Sequence, residues 1–206
     1  ADIVRLIVTS YGGLADPGDL NTTSFSDLNT ANSSTVGIYV KDNTTILAVV
    51  DELMNTVGGF YGFDRDGSFE VGQIALASGT ADAEFDKTTM IEITRLASAV
   101  PNYQVRVGHS KNYKTMSESE LDASISSARR DFLVRETLFQ TAEDTAVQTP
   151  YPNSEALIVP ALFNGSSPAS TEASRLLTIY KTQLDIYRVK VKTRPYTLKL
   201  TDVVII

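Results

Sequence analysis

The chain has 206 residues, 42% of them hydrophobic and 21% charged, which is enough apolar material to bury a core of ordinary globular size. A balance of 18 Lys and Arg against 25 Asp and Glu gives a formal charge of -7, which argues against general affinity for nucleic acid and directs attention to protein partners. The absence of cysteine excludes disulfides and thiolate metal sites, and a single histidine, His109, excludes multi-histidine sites, so neither a metal nor a cofactor is expected.

No run of about 18 apolar residues is present to span a bilayer, and the amino terminus lacks the charged-then-apolar pattern of a signal peptide, so no membrane partner is expected. The chain begins at Ala1 and closes on the apolar run Val203 to Ile206. Natural termini are usually polar and frayed, so a fragment of a longer polypeptide is expected.

In chain order, Ile3, Val4, Leu6, Ile7, Val8 and Tyr11 fit a helix stopped by Gly12-Gly13, with a turn at Asp16-Pro17-Gly18-Asp19. Residues 21–32 are rich in Ser, Thr and Asn, and Phe25 and Leu28 predict one short helical turn in an irregular connection. Val36 to Val40 reads as a short strand. Ile46, Leu47, Val49, Val50, Leu53, Met54 and Val57 then recur at three- and four-residue steps, an amphipathic helix capped by Asn43 or Thr44 and ended by a left-handed Gly58. A hairpin from Phe60 to Ile74 follows, turning through Asp64-Arg65-Asp66-Gly67 with positive φ at the glycine.

Residues 75–87 lack periodicity and predict a surface connection, before a strand around Met90, Ile91 and Ile93 that closes ahead of Pro101. Tyr103, Val105 and Val107 alternate with Gln104 and Arg106, a half-buried strand continuing through His109 toward Tyr113. Residues 121–128 can form a helix turn or two. Residues 132–141 fit helix and strand alike, with strand preferred after about Leu133. In residues 154–163, Pro160 limits any helix. Ser167 as cap and Pro168 at the first helical position open a helix carrying Ala169, Ala173, Leu176, Leu177 and Tyr180. Two alternating strands, Tyr187 to Lys192 and Tyr196 to Leu200, close the chain around Arg194-Pro195. The first sets Arg188, Lys190, Lys192 and Arg194 on one side and Tyr187, Val189 and Val191 on the other. This basic ladder on an acidic protein reads either as a charged edge that blocks aggregation or as an assembly surface facing an acidic neighbour.

Candidate chemistry is sparse. Asp64, Asp66 and Gly67 open a D-x-D-G pattern, but no glutamate stands at the twelfth position of a calcium loop, which leaves a hairpin turn. His109 has no G-x-S-x-G partner and no second histidine. Asp51-Glu52, Asp82 with Glu84, and Glu118 with Glu120 are pairs that could flank a glycosidic bond, although acids so spaced on polar segments are usually solvated. The glycine pairs have no phosphate-binding context. No catalytic, cofactor-binding or metal-binding residue is assigned.

Three features in order carry a family resemblance. They are the helix with Gly58-Gly59 and the F-D-R-D-G hairpin of residues 63–67, the V-x-V-G strand of residues 105–108 followed by Asn112-Tyr113, and a closing helix with paired strands ending in L-T-D-V-V at residues 200–204. This arrangement resembles bacteriophage tail and baseplate hub proteins, whose closing motif often reads L-G-D-V-V; here Thr201 stands in the glycine's place. The resemblance implies an α+β fold with small antiparallel sheets and short helices. It also implies a structural virion protein of a phage or prophage tail tip, made in the bacterial cytoplasm, that works without catalysis by assembling with other tail proteins and, in rings that are often trimeric, with itself. The chain divides on this reading into a helix, strand and hairpin unit over 1–100 and a strand, helix and strand unit over 101–206. Two further readings stay open: a carbohydrate- or receptor-binding module of a tail, expected to cluster exposed tyrosines on one face, and a tail-associated cell-wall hydrolase, expected to converge two carboxylates in a cleft.

Overall fold

The computed structural model describes residues 1–192 and 198–206, and within them the fold is α+β, with five helices and four small sheets. α1 (Asp2–Ser10), α2 (Thr22–Ala31) and α3 (Ile46–Thr56) precede a hairpin of β1 (Gly59–Phe63) and β2 (Phe69–Gln73). β3 (Ala83–Glu84) is followed by β4 (Met90–Ala99) and β5 (Gln104–His109). After α4 (Ser127–Val134) come β6 (Leu138–Glu143), β7 (Ala156–Phe163), α5 (Ser166–Tyr180), β8 (Leu184–Val191) and β9 (Val204–Ile205). A mixed sheet of order β6-β5-β7 lies at the centre, with β5 antiparallel to β6 and parallel to β7. β4 pairs β8 antiparallel, and β3 pairs β9 parallel.

Two hydrophobic clusters fill the interior. The first packs α1, α2 and α3 on the hairpin through Val4, Val8, Phe25, Leu28, Val50, Leu53, Met54, Phe69 and Val71. The second packs α5 on the central sheet through Ala169, Ala173, Leu176 and Leu177 against Val105, Val107, Ala161 and Phe163. β7 serves both, because Leu162 points to the first cluster and its neighbours Ala161 and Phe163 to the second, as strand alternation requires. The free edge of β7 is covered by α3: the hydroxyl of Thr56, fully buried, accepts the Leu162 N–H at 3.1 Å and donates to Glu52 O at 2.9 Å. Both capacities of that buried group are satisfied, as burial of a polar group demands.

α1, α3, the hairpin, β4, β5 and α5 form where the sequence patterns predict them, and Gly58 and Gly67 take φ of +56° and +80°. Other elements differ. α2 is a full ten-residue helix, since Asn21 caps Ser24 N and both Phe25 and Leu28 are buried. The cap of α3 is Thr45, whose hydroxyl accepts from Ala48 N. The predicted strand 36–40 reduces to a single bridge between Val36 and Phe163, because only residues 35–37 run beside the end of β7.

β5 stops at His109, where Ser110 takes φ +51° and turns the chain out of the sheet. The helix sought over 121–128 lies instead at Ser127–Val134, capped by Ser126, and the strand placed after Leu133 begins only at Leu138. Pro160 sits in a strand, at the register shift where β7 bulges against β5; a bulge tolerates a residue with no N–H to donate. The N-cap of α5 is Gly165, which puts Pro168 at the third helical residue, still within the turn whose N–H groups lack intrahelical partners. Of the predicted strand 196–200, Tyr196 and Thr197 lie outside the described residues and Leu198 to Leu200 is not a strand.

Candidate functional site

β4 and β8 form a two-stranded ribbon in which nine of the ten β4 residues are exposed, and only Leu184, Val189 and Val191 of β8 are half-buried. At the rise of an antiparallel strand, ten residues reach about 33 Å. The ribbon is fixed to the body at one end, where Asn102 N donates to Tyr180 O at 2.9 Å and Gln183 bridges Ser98 and Tyr151. At the other end Lys192 donates its backbone N–H to Thr89 O at 2.8 Å and its ammonium to Thr88 O at 2.6 Å.

Directly opposed residues of an antiparallel pair share a face. One face therefore carries Arg188 opposite Thr94 and Lys190 opposite Glu92, continuing to Ile186. The other carries Val189 opposite Ile93 and Tyr187 opposite Arg95, whose guanidinium reaches Asp185 at 2.6 Å. Hydrogen bonds from Ser98, then from Arg95, hold the Asp185 carboxyl below the ordinary carboxylate range. Ile91, Ile93, Leu96, Ile186 and Tyr187 are each roughly half exposed or more, so apolar surface and basic charge lie together on an element that has no third strand among the described residues. Arg188 and Lys190 are thus on the ribbon and Lys192 just past its end; Arg194 lies outside the described residues.

Of the six carboxylates in the pairs noted in the sequence, four are drawn into separate bonds of their own. Asp51 accepts from the Tyr61 hydroxyl at 2.6 Å, while Glu52 pairs with Lys111 at 2.7 Å. Asp82 accepts Val203 N at 2.8 Å, and Glu120 caps Ser117. Asp64 accepts the Arg65 N–H within the hairpin turn and is ion-paired to Lys199. Among the described residues no group of three or more metal-ligating side chains converges. His109 is buried, with Nδ1 on Ser110 Oγ at 3.0 Å and Nε2 facing the Gln140 amide at 3.4 Å. Among the described residues no carboxylate hydrogen-bonds that imidazole, so the contact is a strand-end packing arrangement without a relay.

Two arrangements escape sequence reading. Glu172, on the apolar face of α5, is 2% exposed and held by the guanidinium of Arg175 one turn on, at 2.6 and 2.9 Å. Arg175 also donates to Ile74 O at 2.5 Å and Val57 O at 3.3 Å, tying α5 to the hairpin and to the end of α3. Gly58 makes room for it, since a Cβ there would fall 2.5 Å from Arg175 Nη2. The second is a contact between Tyr39 and Tyr113, both exposed, with ring centroids 5.4 Å apart and planes at 68°. The i,i+3 spacing of Glu172 and Arg175 was available as a signal; nothing local links tyrosines 74 positions apart.

Compared with protein-family models and with curated proteins, the chain matches none.

Proposed function

We propose that the chain is a structural component of a phage or prophage tail tip or baseplate hub, acting in the virion by protein–protein assembly rather than by catalysis. The observation that carries this reading is the β4–β8 ribbon, which exposes Ile91, Ile93, Leu96, Ile186 and Tyr187 next to Arg188, Lys190 and Lys192. An isolated two-stranded ribbon is marginal in water, and one with apolar side chains on its surface gains most when a partner extends the sheet or covers a face. Basic groups on an otherwise acidic chain favour a partner surface that is acidic, which another copy of this chain or a neighbouring tail protein supplies. Ring formation, trimeric by the resemblance, is the expected form of self-association, and other tail and baseplate proteins are the further partners.

The test is mass by light scattering over a range of concentrations, with the variant Arg188→Ser, Lys190→Ser, Lys192→Ser alongside. Assembly beyond the monomer that weakens in the variant, with its thermal midpoint unchanged, is expected. A strict monomer at every concentration, or an assembly indifferent to the three substitutions, overturns the ribbon as the assembly surface.

A further inference from the structure

The segment after the Val36 bridge runs against the segment that leaves β5, and the two enclose a cleft of about 320 Å³, within the size range of small-molecule sites. Its floor is apolar, with Leu162 buried and Ile38 and Phe132 half-buried. Ser110, Lys111 and Asn164 add polar groups to its lining, which the aromatic residues Tyr39 and Tyr113 complete. Tyr39 is 60% and Tyr113 47% exposed.

Those rings are fixed although exposed. The backbone N–H of Tyr39 donates to the Tyr113 hydroxyl at 3.1 Å, the rings meet edge to face, and Lys111 Nζ stands 5.2 Å from the Tyr113 centroid. Asn112 anchors the Tyr113 segment by donating its amide to Phe132 O at 3.0 Å. An aromatic surface already held in place loses little conformational freedom when a ligand arrives.

The polar lining narrows the ligand class. Lys111 is neutralised by Glu52 at 2.7 Å, so an anion finds no spare charge there. The Asn164 backbone is used, its N–H by Thr35 O and its carbonyl by Ser110 Oγ. Asn164 lines the cleft, and its side-chain amide, whose Oδ1 lies beside the lining residue Gly37, has no hydrogen-bond partner among the described residues and offers two donors and an acceptor. A flat aromatic face beside a free amide and a hydroxyl complements a ring that has C–H bonds on its faces and hydroxyls around its rim. A pyranose with all its substituents equatorial has that form. A polyproline peptide instead calls for an extended aromatic-lined groove, and rings crossed at 68° leave one usable face.

We propose that the cleft between Tyr39 and Tyr113 is a binding site for a neutral, β-linked, gluco-configured oligosaccharide, with one sugar ring stacked on tyrosine and its hydroxyls or an acetamido group on the Asn164 amide. This goes beyond the assembly role and does not depend on the ribbon. The experiment is an NMR titration of the 206-residue chain with cellotetraose and with chitotetraose, repeated on Tyr39→Ala and Asn164→Ala. Saturable shifts at Tyr39, Tyr113 and Asn164 are expected with at least one sugar, weakened about tenfold or more by Tyr39→Ala at an unchanged thermal midpoint. No shift with either sugar overturns the site, as does binding that Tyr39→Ala and Asn164→Ala leave intact. A response to a proline-rich peptide with none to the sugars also overturns it and assigns the cleft to peptide.

Discussion

At the scale of single residues, two side chains sit in environments that make measurable demands. Thr201 takes φ +73°, a conformation that a β-branched residue adopts only under strain. Thr201→Gly relieves that strain and loses part of the gain to the greater freedom of the unfolded chain, so a net stabilisation of about 1 kcal/mol is expected in denaturant unfolding. A lower midpoint would mean that the Thr201 side chain supports the turn. His109 is the sole histidine, and burial lowers its pKa below the ordinary value of 6.5. The unfolded chain therefore binds the proton first. The stability held by neutral His109 is complete above pH 6.5 and declines as pH falls from there through the lower folded value. Thermal midpoints between pH 7.5 and 5 should fall with pH in the parent and fall less in His109→Gln; equal slopes would refute the assignment.

At the scale of elements, helices were more legible than strands. A helix satisfies its own backbone, so the stripe of Val50, Leu53 and Met54 sufficed to locate α3. A strand exists only beside a partner, and residues 36–40, apolar enough to be one, meet β7 at a single bridge. α2 was underestimated because the sequence shows its polar surface, whereas its length depends on the hairpin under Phe25 and Leu28; Ser24 Oγ even accepts the β2 amide of Val71 at 3.2 Å. The ribbon has the opposite balance: β4 and β8 pair well but bury little. Its amides should exchange with solvent about tenfold or more faster than those of β5, where Val105 and Val107 are fully buried, in dilute protein. Equal protection in the two sheets under those conditions would show that the ribbon is stabilised within the single chain.

At the scale of the whole molecule, two clusters are joined through β7, whose alternate residues enter both, and through the Arg175 guanidinium that binds α5 to the hairpin. The tail returns over the body, with β9 beside β3 and Lys199 paired to Asp64 of the hairpin turn. Hydrophobic periodicity, glycine stops and turn chemistry by themselves determined the hairpin with its left-handed Gly67, the glycine end of α3 and the alternation that sets Arg188 and Lys190 on one face of β8. These are properties of neighbours in the chain, written within a few positions of one another. Tertiary structure alone decided that β8 pairs with β4 and leaves both exposed, that Arg175 reaches from α5 to Ile74 O and Val57 O, and that Tyr39 meets Tyr113 over a cleft. Each of these depends on which distant segments pack together or on how the chain closes around them, and local pattern carries no information about that.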